Sequence, residues 1–225
     1  MRERTRLPGR NSEVNKMADS KKVIDIIGAV ASKIEEKKDE LTALDQPIGD
    51  SDHGINMARG FCAVQEKLPE LEGKDIGTIL KTVGMTLISK VGGASGPLYG
   101  SAFMKSGTAM AGKQELTSGD FIACLDTSVH AVEQLGHACA GEATMLDAMI
   151  PALAAMKQAE SSGRSAAEIL CAGSAAAEAG AESTKDMIAT KGRASYVGER
   201  GLGHRDPGAS SFALMMETIA DALRR

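Results

Sequence analysis

Three aspartates lie close together in the sequence: Asp45, Asp50 and Asp52 fall within eight residues. Pro47 and Gly49 between them disfavour a helix, so we predict a loop, which can turn all three carboxylates inward. Carboxylates at contact distance repel one another by roughly 1 to 4 kcal/mol per pair, and a cation between them offsets that repulsion. Mg²⁺ prefers oxygen ligands and commonly takes one or two carboxylates together with phosphate oxygens. The segment is therefore a candidate magnesium site.

A simpler interpretation of the same segment stays open. It can be an acidic turn in which Asp52 caps the helix that begins at His53. A calcium-binding EF-hand loop is disfavoured, because a loop starting at Asp50 would need glutamate in place of Phe61 and glycine in place of Ile55. The choice between a metal site and a capped turn depends on the rest of the chain.

Two glycine-rich segments are suited to bind an anion. In residues 91–100, Pro97 fits the first turn of a helix, whose free N–H groups can bind an anion; a plain helix–helix turn explains this segment equally well. Residues 190–208 form a long, highly charged segment, and such loops in compact domains are often functional. Its arginines can make two-pronged contacts to phosphate, whereas His204 fits a hydrogen-bonding loop residue better than a catalyst.

The composition is that of an ordinary globular protein and argues against several functional classes. The 225 residues are 43% hydrophobic and 25% charged, which suits one domain. A net charge of −4, an aromatic content of 3% and no tryptophan argue against direct nucleic-acid binding. No apolar run is long enough to span a membrane. The four cysteines lack CxxC spacing, which predicts reduced thiols in a cytoplasmic protein.

Apolar residues recur at helical spacing along most of the chain, as in residues 23–34. No window alternates well enough to indicate a strand, so we predict an all-α protein with about eight helices. A capping box at Ser165 opens an alanine-rich helix that extends to about Ile188. Residues 1–19 are basic, with little apolar content, and predict a disordered extension before a single domain over 20–225.

Four motifs, in the right order, resemble the nucleotide-binding L subunit of dihydroxyacetone kinases. The first is the acidic segment, Leu44-Asp-x4-Asp-x-Asp-His-Gly-x-Asn56. The others are Gly92-Gly-Ala-Ser-Gly-Pro-Leu98, Thr144-Met-Leu-Asp147 and the segment from Lys191 to Gly208. The resemblance runs from about Ser20 to the C-terminus, and four long motifs in this order make chance agreement negligible.

This resemblance implies an eight-helix antiparallel barrel with the nucleotide site at one end. It implies that two Mg²⁺ ions, bridging the phosphates of ADP or ATP, are held by Asp45, Asp50 and Asp52. The residues that it places around the nucleotide are His53, Gly54, Ile55, Asn56, Ala94, Ser95, Gly136, Thr144, Met145, Arg193, Asp206, Pro207 and Gly208. The chain departs from the family in residues 141–144, Gly-Glu-Ala-Thr, where the family usually carries a lysine.

The resemblance also implies partners. In this family a separate K subunit holds dihydroxyacetone, or a related short ketose, so this chain alone is not expected to phosphorylate a sugar. One branch of the family keeps ADP bound and has it rephosphorylated by a phosphotransferase-system phosphocarrier subunit; another branch uses ATP. The sequence leaves the branch open, and a homodimer or a hetero-oligomer is expected.

Two other functions stay open. A related domain serves fatty acid kinases, although those chains are usually longer. A nucleotide-dependent regulatory subunit is the second alternative, because L subunits can contact transcription factors. An intact acidic motif favours chemistry over regulation alone.

Overall fold

The structure, a computed structural model, describes residues 16–224. It contains nine α-helices and two short strands within that range. The strands are β1 (Lys16–Asp19) and β2 (Glu115–Thr117). The helices are α1 (Ser20–Glu36), α2 (Lys38–Asp45), α3 (His53–Lys67), α4 (Ile76–Lys90), α5 (Ser95–Ala109), α6 (Ser118–Gly136), α7 (Leu146–Ser161), α8 (Ala166–Ser183) and α9 (Pro207–Arg224).

Eight of these helices form a closed ring. Going around it, α1 packs on α3, and then each helix packs on the next in the chain until α9 packs again on α1. Successive helices alternate in direction, so the N-termini of α3, α5, α7 and α9 meet at one end. The predicted all-α barrel is confirmed, and its ninth helix, α2, lies across that end against α3 and α9.

Helix α2 is where the sequence prediction for the acidic segment was partly wrong. Asp45 is the last residue of this helix and does not lie in a loop. Pro47 and Gly49 lie beyond it, so they end the helix and leave the preceding turns intact. Helix α8 likewise ends at Ser183, earlier than predicted, and a 3₁₀ turn over Thr184–Asp186 follows it.

The prediction that the chain has no strand was also wrong. β1 and β2 pair antiparallel, with Ala18 opposite Leu116, and both side chains are buried. Strands of four and three residues are too short to give a recognisable alternation. The strand β1 also places residues 16–19 in the fold, whereas the rest of the predicted extension, residues 1–15, lies outside the described residues.

The helices that begin at the far end of the ring, where β1 and β2 lie, have side-chain caps. Asp19 caps α1, Asp75 caps α4, and reciprocal capping boxes open α6 at Thr117 and α8 at Ser165. The capping box predicted at Ser165 is therefore confirmed. Each cap accepts a hydrogen bond from a backbone N–H that the helix itself leaves without a partner.

Close packing of α4 on α5 fixes the segment that joins them. A Cβ atom on Gly84 would lie 2.7 Å from the carbonyl oxygen of Gly100, and one on Gly100 would lie 2.8 Å from that of Gly84. Only glycine permits this approach of two helix backbones. The two helices therefore present residues 91–94 at a fixed position at the end of the ring where α3, α5, α7 and α9 begin.

The centre of the ring encloses an apolar cavity of about 160 Å³. Phe61, Leu80, Met149 and Phe212 are among the side chains around it, and no charged side chain lines it. A nucleotide with its metal ions does not fit such a lining, because unpaired charge is costly to bury. None of the helices between residues 16 and 224 has the length and apolar composition that crossing a membrane requires.

Candidate nucleotide and metal site

A second, polar pocket of about 250 Å³ lies at the end of the ring where four helices begin. Its wall is built by the end of α2, the starts of α3, α5, α7 and α9, the end of α6 and the segment after α8. Helix N-termini present free backbone N–H groups and a partial positive charge. Four of them around one pocket therefore favour a negatively charged ligand.

Three of these four helices begin without a side-chain cap from their N-cap residue. These residues are Asp52 before α3, Ala94 before α5 and Met145 before α7. Asp52 is the N-cap residue of α3, as predicted, but its side chain makes no cap hydrogen bond. At α9, in contrast, Asp206 Oδ2 accepts from the N–H of Ala209 at 2.7 Å.

The carboxylates of Asp45, Asp50 and Asp52 converge on one side of the pocket. One oxygen from each lies within 4.8 Å of the others. Asp45 is buried, and its Oδ2 also accepts from the backbone N–H groups of Asp52 at 2.9 Å and His53 at 3.2 Å. Asp45 therefore anchors the turn as well as contributing charge. Three converging carboxylate oxygens suit a hard divalent cation such as Mg²⁺.

Arg193 approaches this acidic cluster from the segment after α8. Its Nε lies 2.9 Å from Oδ2 of Asp50, while its side chain keeps 68% of its surface exposed. The contact ties residues 190–208 to the acidic turn across the pocket. A cation bound by Asp50 has to compete with the guanidinium for the same carboxylate.

Four polar side chains form a hydrogen-bonded series that leads inward from the pocket floor. His53 Nδ1 lies 3.2 Å from Ser95 Oγ, and His53 Nε2 lies 3.0 Å from Ser211 Oγ. Ser211 Oγ is in turn 2.8 Å from the hydroxyl of Tyr99. Burial lowers the pKa of His53, although Asp45 and Asp52 oppose that shift, and burial raises the pKa of Tyr99. Both shifts favour the uncharged form of the side chain.

Two further acids shape the rim. Asp147, buried at the start of α7, accepts from the backbone N–H groups of Gly141 at 2.5 Å and Thr144 at 2.8 Å, and so orders the loop between α6 and α7. Desolvation raises the pKa of Asp206 to about 7, and the charges of Asp147 and Asp45 add to that rise. A bound cation nearby would favour its ionised form.

The loops around the pocket hold unfavourable backbone conformations. Among the described residues, the non-glycine residues with positive φ are Ser51, His137 and Ala143. Each lies in a loop at this end of the ring, and Ala143 lines the pocket. Such conformations cost of order 1–3 kcal/mol each and concentrate at functional sites.

The structure brings together most of the residues that the sequence predicted for the site. The predicted residues that line this single pocket are Asp45, Asp50, Asp52, His53, Asn56, Ala94, Ser95, Gly136, Thr144, Met145, Arg193, Asp206, Pro207 and Gly208. Their roles toward a metal or a nucleotide stay predictions.

Gly54 and Ile55 do not line the pocket. A Cβ on Gly54 would lie 2.0 Å from the carbonyl oxygen of Lys38, so this glycine allows α3 to pack against α2. The side chain of Ile55 is half-exposed on the outer side of α3. Residues at the start of a helix point in different directions, and a linear motif does not distinguish them.

Sequence reasoning missed ten residues of the wall. Six of them stand inside the recognised motifs, where neighbouring residues could have pointed to them: Gly92, Gly93, Leu98, Lys191, Gly192 and Ala194. The remaining four are Ile48, Val132, Ala138 and Ala143. These four are apolar, with no chemical signal of their own; Ile48 occupies an unspecified position of the first motif, and the other three lie outside the motifs. With Leu98 they add apolar side chains to the lining of the pocket.

The departure at residues 141–144 has a local structural counterpart. Glu142 accepts a hydrogen bond from Thr190 Oγ1 at 2.7 Å and lies 3.6 Å from Lys191 Nζ. Thr190 N–H also donates to the carbonyl oxygen of Glu142, at 3.3 Å. These contacts join the loop between α6 and α7 to the segment after α8.

Comparison with known proteins matches this architecture to one family. The DAK2 domain matches residues 47–221. The chain is 47% identical over 184 residues to the PEP-dependent dihydroxyacetone kinase, ADP-binding subunit DhaL, of Escherichia coli K12. The aligned region covers 82% of this chain and 88% of the E. coli subunit. It is 42% identical to subunit DhaL of PEP-dependent dihydroxyacetone kinase 2 from Listeria innocua, covering 89% of this chain and 93% of that one.

The fold is also similar to a solved structure. The dihydroxyacetone kinase from C. freundii, in complex with AMP-PNP and Mg²⁺, superimposes with a TM-score of 0.71 at 25% identity. The match covers 98% of this chain and 38% of that longer chain. With the domain match over most of its length and relatives above 40% identity, this chain belongs to the DAK2 domain family.

Proposed function

We propose that this chain is the nucleotide-binding L subunit of a dihydroxyacetone kinase. It binds ADP or ATP with Mg²⁺ in the polar pocket and passes a phosphoryl group to dihydroxyacetone, or to a related short ketose, held by a separate K subunit. The names of its DhaL relatives support this assignment, because both are described as ADP-binding subunits of dihydroxyacetone kinases.

The observation that carries the proposal is the position of the acidic cluster among the helix N-termini. The carboxylate oxygens of Asp45, Asp50 and Asp52 converge beside the starts of α3, α5 and α7, which face the same pocket, and in this proposal they hold two Mg²⁺ ions. A nucleotide diphosphate with divalent cations satisfies both features at once. A nucleotide alone would be repelled by the carboxylates, and cations alone would leave the N–H groups unused.

The metal ions, when bound, neutralise charge on the phosphate oxygens during transfer, which is most of what phosphoryl transfer requires. The chain's own residues orient the nucleotide. Arg193 offers a guanidinium to the phosphates from the long segment, and Ser95 offers a hydroxyl from the start of α5. The apolar side chains of Leu98 and Val132 in the pocket lining receive the nucleobase.

We assign the chain to the phosphoenolpyruvate-dependent branch, since both DhaL relatives carry that description. In that branch ADP stays in the pocket and a phosphotransferase-system phosphocarrier subunit restores its terminal phosphoryl group. The chain would then work in a hetero-oligomer with the K subunit, and the predicted cytoplasmic location suits both partners.

Thermal unfolding of protein stripped of nucleotide tests the proposal. A ligand that binds only the folded state raises the melting temperature by mass action, so Mg-ADP should raise it, while ADP with EDTA should raise it much less. No shift with Mg-ADP would contradict the assignment. Transfer to dihydroxyacetone with a K subunit, driven either by phosphoenolpyruvate and its phosphocarriers or by ATP, then distinguishes the branches.

A further inference from the structure

The hydrogen-bonded series of side chains beneath the pocket connects the interior of the ring to the pocket wall. It begins at Tyr99, only 3% exposed, and passes through Ser211, which is fully buried, and His53 to Ser95. Only His53 and Ser95 line the pocket. Tyr99 lies on α5, Ser211 on α9 and His53 on α3, so the hydrogen-bonded series joins three of the helices that begin at this end.

Each hydroxyl in this hydrogen-bonded series has one proton, and a neutral imidazole has one N–H, so two limiting orders of the donors differ in which ring nitrogen of His53 carries the proton. In the inward order, Ser95 donates to His53 Nδ1, Nε2–H donates to Ser211, and the hydroxyls of Ser211 and Tyr99 both donate to the carbonyl oxygen of Gly208, 3.0 Å and 3.2 Å away. The Ser95 proton is then used, and Ser95 presents only lone pairs to the pocket.

In the outward order, every donor points toward the pocket. Tyr99 donates to Ser211, Ser211 donates to His53 Nε2, and Nδ1–H donates to Ser95. The hydroxyl proton of Ser95 is then free to be donated to a ligand. An anion in the pocket favours this order, because it needs a donor and repels lone pairs. Hydrogen bonds aligned in one direction also strengthen one another.

We propose that Tyr99 and Ser211 are positioning residues, which hold His53 in the Nδ1–H tautomer so that Ser95 donates its hydroxyl proton to a phosphate group of the bound nucleotide. Tyr99 suits the inner end of this series because its buried hydroxyl lies 2.8 Å from Ser211 Oγ and can donate to it. Ser211 suits the second position because it can accept from Tyr99 and donate to the imidazole. This inference rests on the proposed function, which supplies the phosphate.

The tautomer can be measured directly in the wild-type protein. The ¹⁵N chemical shifts of the His53 imidazole distinguish a protonated from an unprotonated ring nitrogen, and they are recorded with and without saturating Mg-ADP. We expect Nδ1 protonated and Nε2 unprotonated in the complex. An Nε2–H tautomer in the complex would overturn the proposal, whatever the variants do.

Variants then test the two inner residues. Tyr99→Phe keeps the ring and removes only the hydroxyl, and Ser211→Ala removes the link to the imidazole. Each should weaken Mg-ADP binding about three- to tenfold, the range expected for one hydrogen bond, and should lower the Nδ1–H fraction. Ser106→Ala is the matched control: Ser106 is a buried hydroxyl on the same helix, but it contacts Cys124 and Ser128, so both readouts should stay at wild-type values.

A double-mutant cycle shows whether Tyr99 acts through Ser95. In a Ser95→Ala background, Tyr99→Phe should cause no further loss of affinity, because the terminal donor is already gone. If the losses of affinity in the two variants were fully additive, Tyr99 would not act through Ser95. If wild-type protein does not bind Mg-ADP at all, the proposed function fails; if it binds but neither tautomer nor affinity responds to Tyr99 and Ser211, only this inference fails.

Discussion

The two ends of the helix ring begin their helices in different ways. At the far end, the N-cap side chains each accept a hydrogen bond from the first turn: Asp19, Asp75, Thr117 and Ser165. At the pocket end, Asp52, Ala94 and Met145 make no such bond, and of the four ring helices that begin here only α9 has one, accepted by Asp206. A missing cap costs typically ~1 kcal/mol. The same end also carries the converging carboxylates and the positive-φ residues Ser51, His137 and Ala143.

This difference separates stability from function along one axis of the molecule. The far end satisfies its own backbone groups and closes with the β1–β2 pair, so it stabilises the ring. The pocket end keeps repelling charges, and the starts of α3, α5 and α7 have no cap from an N-cap side chain, so a bound metal–nucleotide suits both features. Variants at the two ends should therefore behave oppositely: one class should change ligand affinity, the other the free energy of unfolding.

The largest effect is expected for Asp50→Asn. The Asp50 side chain is one-third exposed and contacts Arg193 rather than the core, so its carboxylate contributes to the ligand more than to packing. Calorimetric titration with ADP and Mg²⁺ should detect no binding, while circular dichroism stays at the wild-type level. Asp126→Asn is the control, since that exposed acid pairs with Lys157 on the ring surface. Wild-type affinity in Asp50→Asn would remove the metal assignment.

Arg193→Ala should have the next largest effect. Losing a charge-assisted hydrogen bond to the nucleotide costs ~1.5–3 kcal/mol, or roughly ten- to a hundredfold in ADP affinity. Arg193→Lys should recover only part of it, because an ammonium cannot make the two-pronged contact. Stability should change by at most about 0.5 kcal/mol, since the side chain is largely exposed.

The contact between Arg193 and Asp50 adds a second readout for the same variant. Affinity for Mg²⁺ without nucleotide should rise in Arg193→Ala, because the guanidinium no longer competes for the carboxylate. Arg164→Ala serves as the control, as Arg164 forms its ion pair with Glu168 at the far end. Unchanged ADP affinity in Arg193→Ala would mean that the segment 190–208 does not contact the nucleotide.

The smallest effect belongs to the far end. Ser165→Ala removes the side chain that caps α8 and should lower the free energy of unfolding by ~1 kcal/mol. ADP affinity should remain at the wild-type value, measured by the same titration. A loss of affinity comparable to that of Arg193→Ala would show that the two ends are coupled and that their separation is wrong.

The sequence predicts most of the helices because their signals are local. The capping box at Ser165 and the apolar spacing mark helices directly, and that capping box is confirmed. The short helix α2 and the two strands were not predicted, because α2 has only eight residues, β1 four and β2 three, and such short elements carry little periodicity. Their formation depends on packing against distant parts of the chain.

The site was predictable only where its residues form linear motifs. The acidic cluster and Arg193 stand in such motifs, and the structure places them around one pocket. Tyr99 and Ser211 could not be found in this way. Ser211 lies 158 positions from the imidazole that it contacts, and only closure of the ring brings the two together.

Amide hydrogen exchange on nucleotide-free protein, with and without Mg-ADP, tests the central claim most directly, because it reports on both ends at once. We predict slower exchange at the starts of α3, α5, α7 and α9 and in residues 190–206. The capped starts of α1, α4, α6 and α8 should show changes no larger than those that general stabilisation produces. Protection centred on the far end, or on the residues around the apolar cavity, would contradict the account.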